Sequence, residues 1–308
     1  MKAAYFMKLG GPEVLQYGDV PDPVAKPGEV LVDVHAASVN GADWKVRFGR
    51  YGNPVTQFPY VLGRDFSGVV AKLGEGVTDL KVGDAVFGVV QQVDDGCYAE
   101  KLAIKASIVA KKPASLSHVE TAAVALIGLT ALVSVEDTLK LKRGETILIQ
   151  GGAGGVASFA IQVAKHIGAR VITTCSAANV DYVKKLGADQ VIDYNAQDFT
   201  KVVKDVDAVF DTVGGDVVTR SFAVVRSGGR AAFIGSGASA PASPRPEVES
   251  LRPKVGRDRP HLERIVSLVT SGAVKLPEIK TYKLPEAAAA HKVSEGRHFR
   301  GKLVFKVR

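Results

Sequence analysis

Hydrophobic and polar positions change their period along the chain, and this change predicts two kinds of structure. Near the N-terminus, short apolar stretches alternate with turns rich in glycine and proline. In Glu29–Ala37, apolar residues occupy alternate positions, which is typical of a β-strand with one buried face. In the middle of the chain, continuous apolar runs alternate with segments of helical period. This alternation predicts a doubly wound parallel sheet, so the fold class is α/β with an additional β-rich domain.

The first 122 residues predict mainly strands and turns. Predicted strands are Lys2–Phe6, Cys97–Leu102, Ala106–Lys111, the second half of Leu80–Gly88, and two pieces of Tyr60–Leu73 separated at Gly63 and Gly68. Gly41–Phe48 holds about one helical turn, and Gly49–Pro59 is a loop. Ser117 and Glu120 form a capping-box pattern, which predicts one or two helices through Ala122–Val133.

The stretch from Glu145 to Ser176 predicts a βαβ unit. Thr146–Gln150 is a buried strand, a helical pattern follows and ends at Gly168, and Arg170–Thr174 is a second strand. The turn between strand and helix contains Gly151, Gly152, Gly154 and Gly155. Glycine allows a sharp turn and the close approach of a pyrophosphate, and the helix N-terminus offers N–H groups and partial positive charge. The pattern predicts dinucleotide binding; a purely structural turn is the alternative.

The alternation of strands and helices continues after Ser176. The predicted elements are helix Val180–Leu186, strands Gln190–Asp193 and Asp207–Asp211, helix Val217–Val225, strand Arg230–Ile234, helices His261–Ser271 and Pro285–Ser294, and strand Gly301–Val307. Gly235–Arg259 has no clear periodicity and is rich in Ser, Pro and Arg, so a surface loop or crossover is expected there. The last strand is expected to return to the first domain.

Composition narrows the class of protein. The 308 residues, 46% of them apolar, suffice for two domains. The chain contains no run of 18 apolar residues and no hydrophobic N-terminal signal segment, so no transmembrane helix is expected. Cys97 and Cys175 lie in unrelated contexts, which favours a reducing, cytoplasmic location over a disulfide framework.

The net charge of +8 is located at the C-terminal end of the chain. Residues 245–308 contain 15 Lys or Arg and 7 Asp or Glu. A solvated basic face is the simplest interpretation, and an anionic cofactor or substrate is the next. Nucleic-acid binding is not expected, because aromatic residues do not interleave with the charges as a base-stacking surface requires.

Motifs in a fixed order cover nearly the whole chain. They are GRDFSGVV (63–70), KVGDAVFG (81–88), GLTA (128–131), QGGAGGVA (150–157), KKLGAD (184–189), FDTVGG (210–215) and GKLV (301–304). Together they resemble the medium-chain dehydrogenase/reductase superfamily, and within it the zinc-free NADPH:quinone oxidoreductases and the 2-alkenal and enone reductases.

The resemblance implies a fold, an assembly and a reaction. A GroES-like substrate domain would comprise residues 1–122 and about 262–308, and a Rossmann NADP(H)-binding domain residues 123–261, with the site in the cleft between the domains. A homodimer is implied, or a tetramer as in some members. The reaction would transfer hydride from the nicotinamide to a quinone or to the β-carbon of an α,β-unsaturated carbonyl.

The resemblance also predicts that the protein binds no metal. Zinc-dependent members carry a histidine in a GHE-like triplet and a cysteine upstream of it. Here the triplet is Gly63-Arg64-Asp65, and no cysteine lies near Asn40–Asp43. Without a Lewis acid to stabilise an alkoxide, an acceptor that takes hydride directly fits better than an alcohol.

The end of the second Rossmann strand favours NADPH over NADH. A carboxylate that would bond the ribose hydroxyls of NAD does not appear before Asp181, whereas Ser176 and Asn179 could donate to a 2′-phosphate. The resemblance places Tyr194 beside the adenosine phosphate, although an ordinary tyrosine at a strand end is the alternative.

The resemblance assigns further contacts to single residues. Predicted cofactor contacts are Gly152, Ala153, Gly154, Gly155 and Val156 at the pyrophosphate, Asn40 and Thr130 at the nicotinamide, and Val213, Gly235, Ser236 and Lys302 elsewhere. A hydrogen bond from Thr130 to its own helix backbone is the alternative for that residue.

The reaction itself asks for one donor to the forming enolate or hydroquinone oxygen. Candidates are Asn40, Tyr51 and Arg64, together with the 2′-hydroxyl of the cofactor itself. Tyr51 can also deliver a proton, although packing on the surface is the alternative for it. Asp43 is interpreted as a structural acid that caps a turn. A second function remains open: a protein that binds NADPH without turnover, either crystallin-like or nucleic-acid-binding.

Overall fold

The computed structural model describes residues 1–51, 54–91, 96–237, 239–297 and 299–308, and contacts within the chain divide it into two compact units. Unit 1 comprises Met1–Leu126, Arg257–Ser267 and Glu278–Arg308. Unit 2 comprises Ile127–Gly256 and Leu268–Pro277. Each unit has its own sheet.

The elements of the first part of the chain are mostly short strands. They are β1 (Lys2–Phe6), β2 (Gln16–Asp19), β3 (Glu29–Ser38), α1 (Gly41–Arg47), β4 (Tyr60–Val61), β5 (Asp65–Leu73), β6 (Ala85–Val89), β7 (Lys101–Lys105), β8 (Val109–Lys111) and α2 (His118–Leu132), which continues as a π-helix over Val133–Thr138. Burial in β3 alternates along most of the strand, as its sequence predicted. The Ser117 capping box is formed: Ser117 N–H donates to Glu120 Oε2 at 2.8 Å.

The second part of the chain alternates strands and helices. Its elements are β9 (Thr146–Gln150), α3 (Gly155–Ile167), β10 (Arg170–Cys175), α4 (Val180–Lys185), β11 (Gln190–Asp193), α5 (Phe199–Val202), β12 (Val206–Asp211), α6 (Asp216–Phe222), β13 (Val225–Phe233) and β14 (Glu249–Leu251). The chain ends with α7 (Arg259–Thr270), β15 (Ile279–Tyr282), α8 (Ala287–Glu295) and β16 (Lys302–Lys306).

Unit 1 is built on a seven-stranded sheet in the order β15-β16-β3-β5-β6-β8, with β7 also paired to β3. A smaller sheet has the order β2-β1-β4. Strand β16 pairs antiparallel with β3, with Val304 opposite Ser38, so the predicted return of the last strand is confirmed. This pairing brings residues from opposite ends of the sequence into one apolar core that includes Val34, Phe66 and Phe305.

Unit 2 contains a parallel sheet in the order β11-β10-β9-β12-β13-β14, which confirms the predicted doubly wound sheet. The chain moves outward in one direction through β10 and β11, and in the other through β12, β13 and β14. The order therefore reverses between β9 and β12, where Gln150 lies opposite Asp211. In sheets of this kind, ligands bind outside the carboxyl ends of the strands at this switch point.

Several predicted boundaries are wrong for local reasons. Gly68 does not interrupt a strand, because β5 runs through it; a Cβ there would lie 2.2 Å from the Asp33 carbonyl oxygen. Its glycine thus reflects a close approach of two strands. The helix predicted to reach Val225 ends at Phe222, and β13 begins at Val225. Strands β14 and β15 and helix α5 have only three or four residues and were not predicted.

One helix has the length and apolar composition of a membrane span, although the sequence contains no run of 18 apolar residues. It is His118–Thr138, formed by α2 and its π-helical continuation. Within its most apolar window, 78% of the residues are buried inside the protein. Such burial is what the central helix of a packed domain requires.

Arginines of the Ser/Pro/Arg-rich segment bind main-chain carbonyl groups. Arg245 donates to Phe222 and Val225, Arg252 to Phe233, Arg257 to Val90, and Arg259 to Ala106 and Val109. The bonds of Arg245 and Arg252 lie within unit 2, and those of Arg257 and Arg259 lie within unit 1. Part of the C-terminal positive charge therefore has a structural use, which was not among the interpretations drawn from composition.

Candidate functional site

The glycine turn after β9 is held by the side chain of Thr174 in the neighbouring strand. Thr174 Oγ1 accepts the N–H of Gly151 at 3.1 Å and donates to Gln150 Oε1 at 2.7 Å. The Thr174 carbonyl accepts the N–H of Gly152 at 2.8 Å. A Cβ at Gly152 would lie 2.3 Å from Thr173 Oγ1, which is closer than such atoms approach. Position 152 thus requires glycine while the turn lies against β10.

The N-terminus of α3 faces this turn. Gly154 precedes the helix in an extended conformation, and Ser158 N–H donates to the Gly154 carbonyl at 2.8 Å. The N–H groups of Gly155, Val156 and Ala157 precede that first helical hydrogen bond and have no acceptor within the helix. Together with the helix dipole they favour a negatively charged group. Ala153, inside the turn, completes the predicted pyrophosphate contacts.

Asp211 shapes the loop next to the glycine turn. It is fully buried, and its carboxylate accepts the N–H groups of Val213 at 2.7 Å and Gly214 at 3.0 Å. Thr212 Oγ1 donates to the Gln150 carbonyl at 2.8 Å, which ties this loop to the end of β9. Burial raises the pKa of Asp211, and the two backbone hydrogen bonds oppose that shift. No role was predicted for Asp211 from the sequence, although the FDTVGG motif contains it.

Ser176 and Asn179 lie together at the carboxyl end of β10. Asn179 Nδ2 donates to Ser176 Oγ at 3.0 Å, and residues 177–179 form a short 3-10 turn. Because Ser176 Oγ accepts this bond, its own hydrogen can be donated to a phosphate. The pair remains the predicted site for a 2′-phosphate.

A further carboxylate, for which no role was predicted from the sequence, lies on the next strand. Asp193 is opposite Cys175 in the β10–β11 pairing, and its Oδ1 accepts the N–H of Asn195 at 3.0 Å. This bond holds Asp193 in its own turn. Burial, with a smaller effect from Asp193, raises the pKa of the Cys175 thiol to about 11. Tyr194 follows Asp193 and is 52% exposed, so its ring is accessible as the prediction requires.

Of the remaining predicted contacts in unit 2, Val213, Gly235 and Ser236 lie close together, and Thr130 is on α2. Thr130 is nearly buried in α2, and its carbonyl accepts the hydroxyl of Ser134 at 2.6 Å. Val213 is exposed beside the glycine turn. Gly235 packs on Gly214, and Ser236 Oγ donates to the Ser239 carbonyl at 3.4 Å. These four residues stay predictions.

In unit 1, the Asn40 side chain belongs to a buried polar cluster. Its Nδ2 donates to the Ser38 carbonyl at 3.2 Å and to Asp65 Oδ1 at 3.0 Å, and its Oδ1 accepts from Lys302 Nζ at 2.8 Å. Both amide hydrogens are therefore used inside the protein. Asn40 was predicted as a possible donor to a substrate oxygen; this network leaves its Oδ1 as the side-chain atom able to make a further bond.

Lys302 and Asp65 carry opposite charges in the same cluster. Lys302 Nζ donates to the Val39 carbonyl at 2.8 Å as well as to Asn40, and Asp65 accepts the Ser38 hydroxyl at 2.8 Å. Both side chains are buried. Burial lowers the pKa of Lys302, and it raises the pKa of Asp65, while each charge favours the ionised form of the other.

Arg64 and Tyr51, two further candidates, are in direct contact. The Arg64 guanidinium carbon lies 4.7 Å from the centre of the Tyr51 ring. Arg64 Nε is 3.9 Å from Asp43 Oδ1, and Asp43 Oδ2 accepts the Tyr98 hydroxyl at 2.6 Å and the Asn40 N–H at 2.8 Å. The interpretation of Asp43 as a cap at a turn is thus confirmed, but it also joins Asn40, Arg64 and Tyr98, which sequence analysis did not foresee.

A dinucleotide and, in zinc-dependent members, a metal ion are the two groups that proteins of the resembled superfamily hold. The crowded glycine at position 152 and the N–H groups of α3 suit a dinucleotide. A group of three or more His, Cys, Asp or Glu side chains able to hold a metal is not found in the part of the chain that the structure describes.

Two family models match the chain. Residues 26–114 match the alcohol dehydrogenase GroES-like domain, and residues 186–305 match a domain described as zinc-binding dehydrogenase. The description of the second model names zinc. The triplet Gly63-Arg64-Asp65, which has arginine where zinc-dependent members have histidine, lies in the region that the first model matches.

Similar proteins cover the chain almost completely. It is 33% identical to the 2-haloacrylate reductase of a Burkholderia species over 98% of both chains. It is 32% identical to the NADPH-dependent alkenal/one oxidoreductase of Arabidopsis thaliana, over 99% of this chain and 79% of that protein. The solved structure of the quinone oxidoreductase from Coxiella burnetii matches with a TM-score of 0.92 and 35% identity, over 100% of this chain and 99% of that one. The chain therefore belongs to the medium-chain dehydrogenase/reductase superfamily, in its branch of zinc-free quinone and alkenal oxidoreductases.

Proposed function

We propose that this protein is an NADPH-dependent reductase that transfers hydride to quinones or α,β-unsaturated carbonyl compounds without a metal. The observation that carries this proposal is the glycine turn at the switch point of the parallel sheet, with the N-terminus of α3 behind it. The relatives support the acceptor class, because their names are 2-haloacrylate reductase, alkenal/one oxidoreductase and quinone oxidoreductase.

NADPH is the proposed cofactor. Residues 152–156 would hold the pyrophosphate, Ser176 and Asn179 the 2′-phosphate, and Tyr194 the adenosine, with Thr130, Val213, Gly235 and Ser236 toward the nicotinamide half. Asn40 and Lys302 in unit 1 are the further proposed contacts. When bound, NADPH supplies the hydride from C4 of its nicotinamide ring.

The protein has a limited chemical task in such a reaction. It must orient the acceptor and provide a proton or hydrogen bond where negative charge develops. Tyr51 is the proposed proton donor, since it carries an O–H group and is only partly buried. In an enone, hydride arrives at the β-carbon, the resulting enolate takes the Tyr51 proton, and water reprotonates the phenolate.

The proposal is tested by mixing the purified protein with NADPH and following nicotinamide absorbance after adding menadione or methyl vinyl ketone. Turnover with at least one acceptor, together with a fluorescence change on NADPH binding, is expected. Tight NADPH binding without turnover across a wider panel of quinones and alkenals would instead support the non-catalytic alternative. Absence of binding would reject the cofactor site itself.

A homodimer, which the resemblance implies, and a cytoplasmic location, which the contexts of Cys97 and Cys175 favour, are further proposals. Size-exclusion chromatography with light scattering checks the first, and fractionation of the source cells checks the second. A small-molecule acceptor is the partner proposed for the site.

A further inference from the structure

Arg64 is confined between an aromatic ring and a buried carboxylate. Its side chain is 3% exposed, its guanidinium carbon lies 4.7 Å from the centre of the Tyr51 ring, and its Nε is 3.9 Å from Asp43 Oδ1. Asp43 is fully buried. A guanidinium this deep is poorly placed to touch a substrate, whereas the ring it covers belongs to a partly buried side chain. Any effect of Arg64 on an acceptor should therefore pass through Tyr51.

The position of Asp43 is itself fixed. Its Oδ2 accepts the Tyr98 hydroxyl at 2.6 Å and the Asn40 N–H at 2.8 Å. Tyr98 is fully buried, and its ring packs edge-on against Phe305 of β16, with ring centres 4.7 Å apart. The carboxylate that faces Arg64 is thus anchored both to the start of α1 and to the core of unit 1.

We propose that Arg64 is the positioning residue for Tyr51, and that Asp43 and Tyr98 hold Arg64 in place. The flat guanidinium fixes the ring from one face and puts a positive charge beside the phenolate that proton delivery would leave. This inference rests on the proposed function. It adds that the arrangement of Arg64 and Tyr51 favours the reduction of acceptors that need a proton from the protein over acceptors that do not.

The proton requirement differs between the two acceptor classes. After hydride reaches the β-carbon of an enone, the electrons of the C=C bond form an enolate. The O–H bond of Tyr51 then breaks, and its proton goes to the enolate α-carbon. After hydride reaches a quinone, the product is a hydroquinone anion, which can leave and take its proton from water. Disturbing Tyr51 should accordingly slow enone reduction far more than quinone reduction.

The test compares R64M with the unsubstituted protein on methyl vinyl ketone and on menadione. R64M is expected to lower kcat for the ketone by at least about tenfold, because it disturbs a proton transfer that contributes roughly 10²–10⁴-fold, and to change kcat for menadione by less than about twofold. R64K keeps the positive charge but lacks the planar guanidinium. Its kcat for methyl vinyl ketone is expected to lie between the values of R64M and the unsubstituted protein. Y98F should act in the same direction with a smaller loss.

Coupling to Tyr51 is the second readout. If Arg64 acts through Tyr51, adding R64M to Y51F should lower kcat for methyl vinyl ketone by less than about twofold, because contacting residues are not additive. R220M is the matched control. Arg220 also lies 4.7 Å from an aromatic ring, that of Phe199, and bonds Asp198 at 2.6 Å in unit 2. It should keep both activities.

Each outcome decides the inference. Equal losses on both acceptors, independent effects of R64M and Y51F, or losses in R64M no larger than in R220M would overturn the role of Arg64. Turnover of menadione without any turnover of methyl vinyl ketone by the unsubstituted protein would also overturn it. If that protein binds no NADPH and reduces neither acceptor, the proposed function fails before the role of Arg64 is reached.

Discussion

The glycine turn of unit 2 and the polar cluster of unit 1 solve the problem of binding by different means. The turn uses main-chain N–H groups of adjacent residues, and its sequence requirement is the absence of side chains. The cluster uses charged and amide side chains, and its members Asn40 and Lys302 are 262 positions apart. A backbone site can therefore be read from one short motif, whereas a side-chain site depends on which strands become neighbours.

The two regions also differ in how much unfolding free energy is expected to be lost when their residues are replaced. The turn leaves polar groups near a surface, where water can solvate them before a ligand arrives. The cluster buries a lysine and a carboxyl group whose ionised forms are disfavoured by burial and stabilised by each other's charge. The largest effects of mutation are consequently expected in unit 1, even though unit 2 contains the more recognisable motif.

Lys302→Met is expected to produce the largest loss. It removes the charge facing Asp65 and the donor to Asn40 Oδ1, and breaking a buried pair in this way costs about 3–5 kcal/mol of unfolding free energy. Urea denaturation measures the loss. The double variant K302M/D65N should recover part of it, because the uncompensated carboxylate is gone.

The exposed pair of Lys165 and Asp189 in unit 2 is the control for that measurement. Its Nζ–Oδ2 distance of 2.8 Å is typical of an ion pair, but both side chains are about one-third exposed. K165M should cost less than about 1 kcal/mol, as exposed pairs usually do. Similar losses in K302M and K165M would contradict the contrast drawn between the two units.

Gly152→Val should mainly affect the nucleotide. The added side chain displaces the turn from Thr173, and we expect NADPH affinity to fall by more than tenfold, or about 1.4 kcal/mol. Isothermal titration on the folded variant checks this. G41A, whose Cβ would meet nothing within 4 Å, controls for the general effect of replacing glycine. Unchanged affinity in G152V would remove the turn from the cofactor site.

The preference for NADPH over NADH tests the other end of the same site. We expect at least a tenfold difference in affinity, about 1.4 kcal/mol, from donors to the 2′-phosphate at Ser176 and Asn179. S176A should narrow the difference by removing one donor. Equal affinities of the unsubstituted protein for the two nucleotides would show that Asp193, the nearby carboxylate, outweighs those donors.

The same contrast explains what could be predicted from the sequence. Strand β11 and the end of α3 at Gly168 follow from local patterns and were predicted. Strands β14 and β15 were missed, because three or four residues do not establish a period. In the site, the glycine motif itself identifies Gly152, whereas the hydrogen bond from Lys302 to Asn40 depends on β16 lying beside β3. Such strand pairings depend on the topology of the sheet, which no single sequence motif determines.

The smallest expected effect concerns pH and a histidine of unit 1. His118 bonds Ser67 Oγ through Nδ1 at 2.7 Å and stacks on His35, with ring centres 4.4 Å apart. Burial, followed by the charges of His35 and Lys112, lowers the pKa of His118 from 6.5 to about 4. Between these pH values the unfolded chain binds a proton that the folded chain resists, so the free energy of unfolding decreases as pH falls.

Replacing His118 by glutamine keeps an amide N–H donor for Ser67 and removes this titration. Above pH 6.5 the pH dependence of H118Q should equal that of the unsubstituted protein; from pH 6.5 down to about 4, H118Q should lose less stability. The difference is expected to be small because His118 is only half-buried and water screens part of the charge. Urea midpoints measured across this range decide the matter. Parallel curves would mean that His118 is protonated equally in the folded and unfolded states. Asp211 in unit 2 is expected to have the opposite effect, because burial raises its pKa: its contribution to the free energy of unfolding should decrease as pH rises above 3.8.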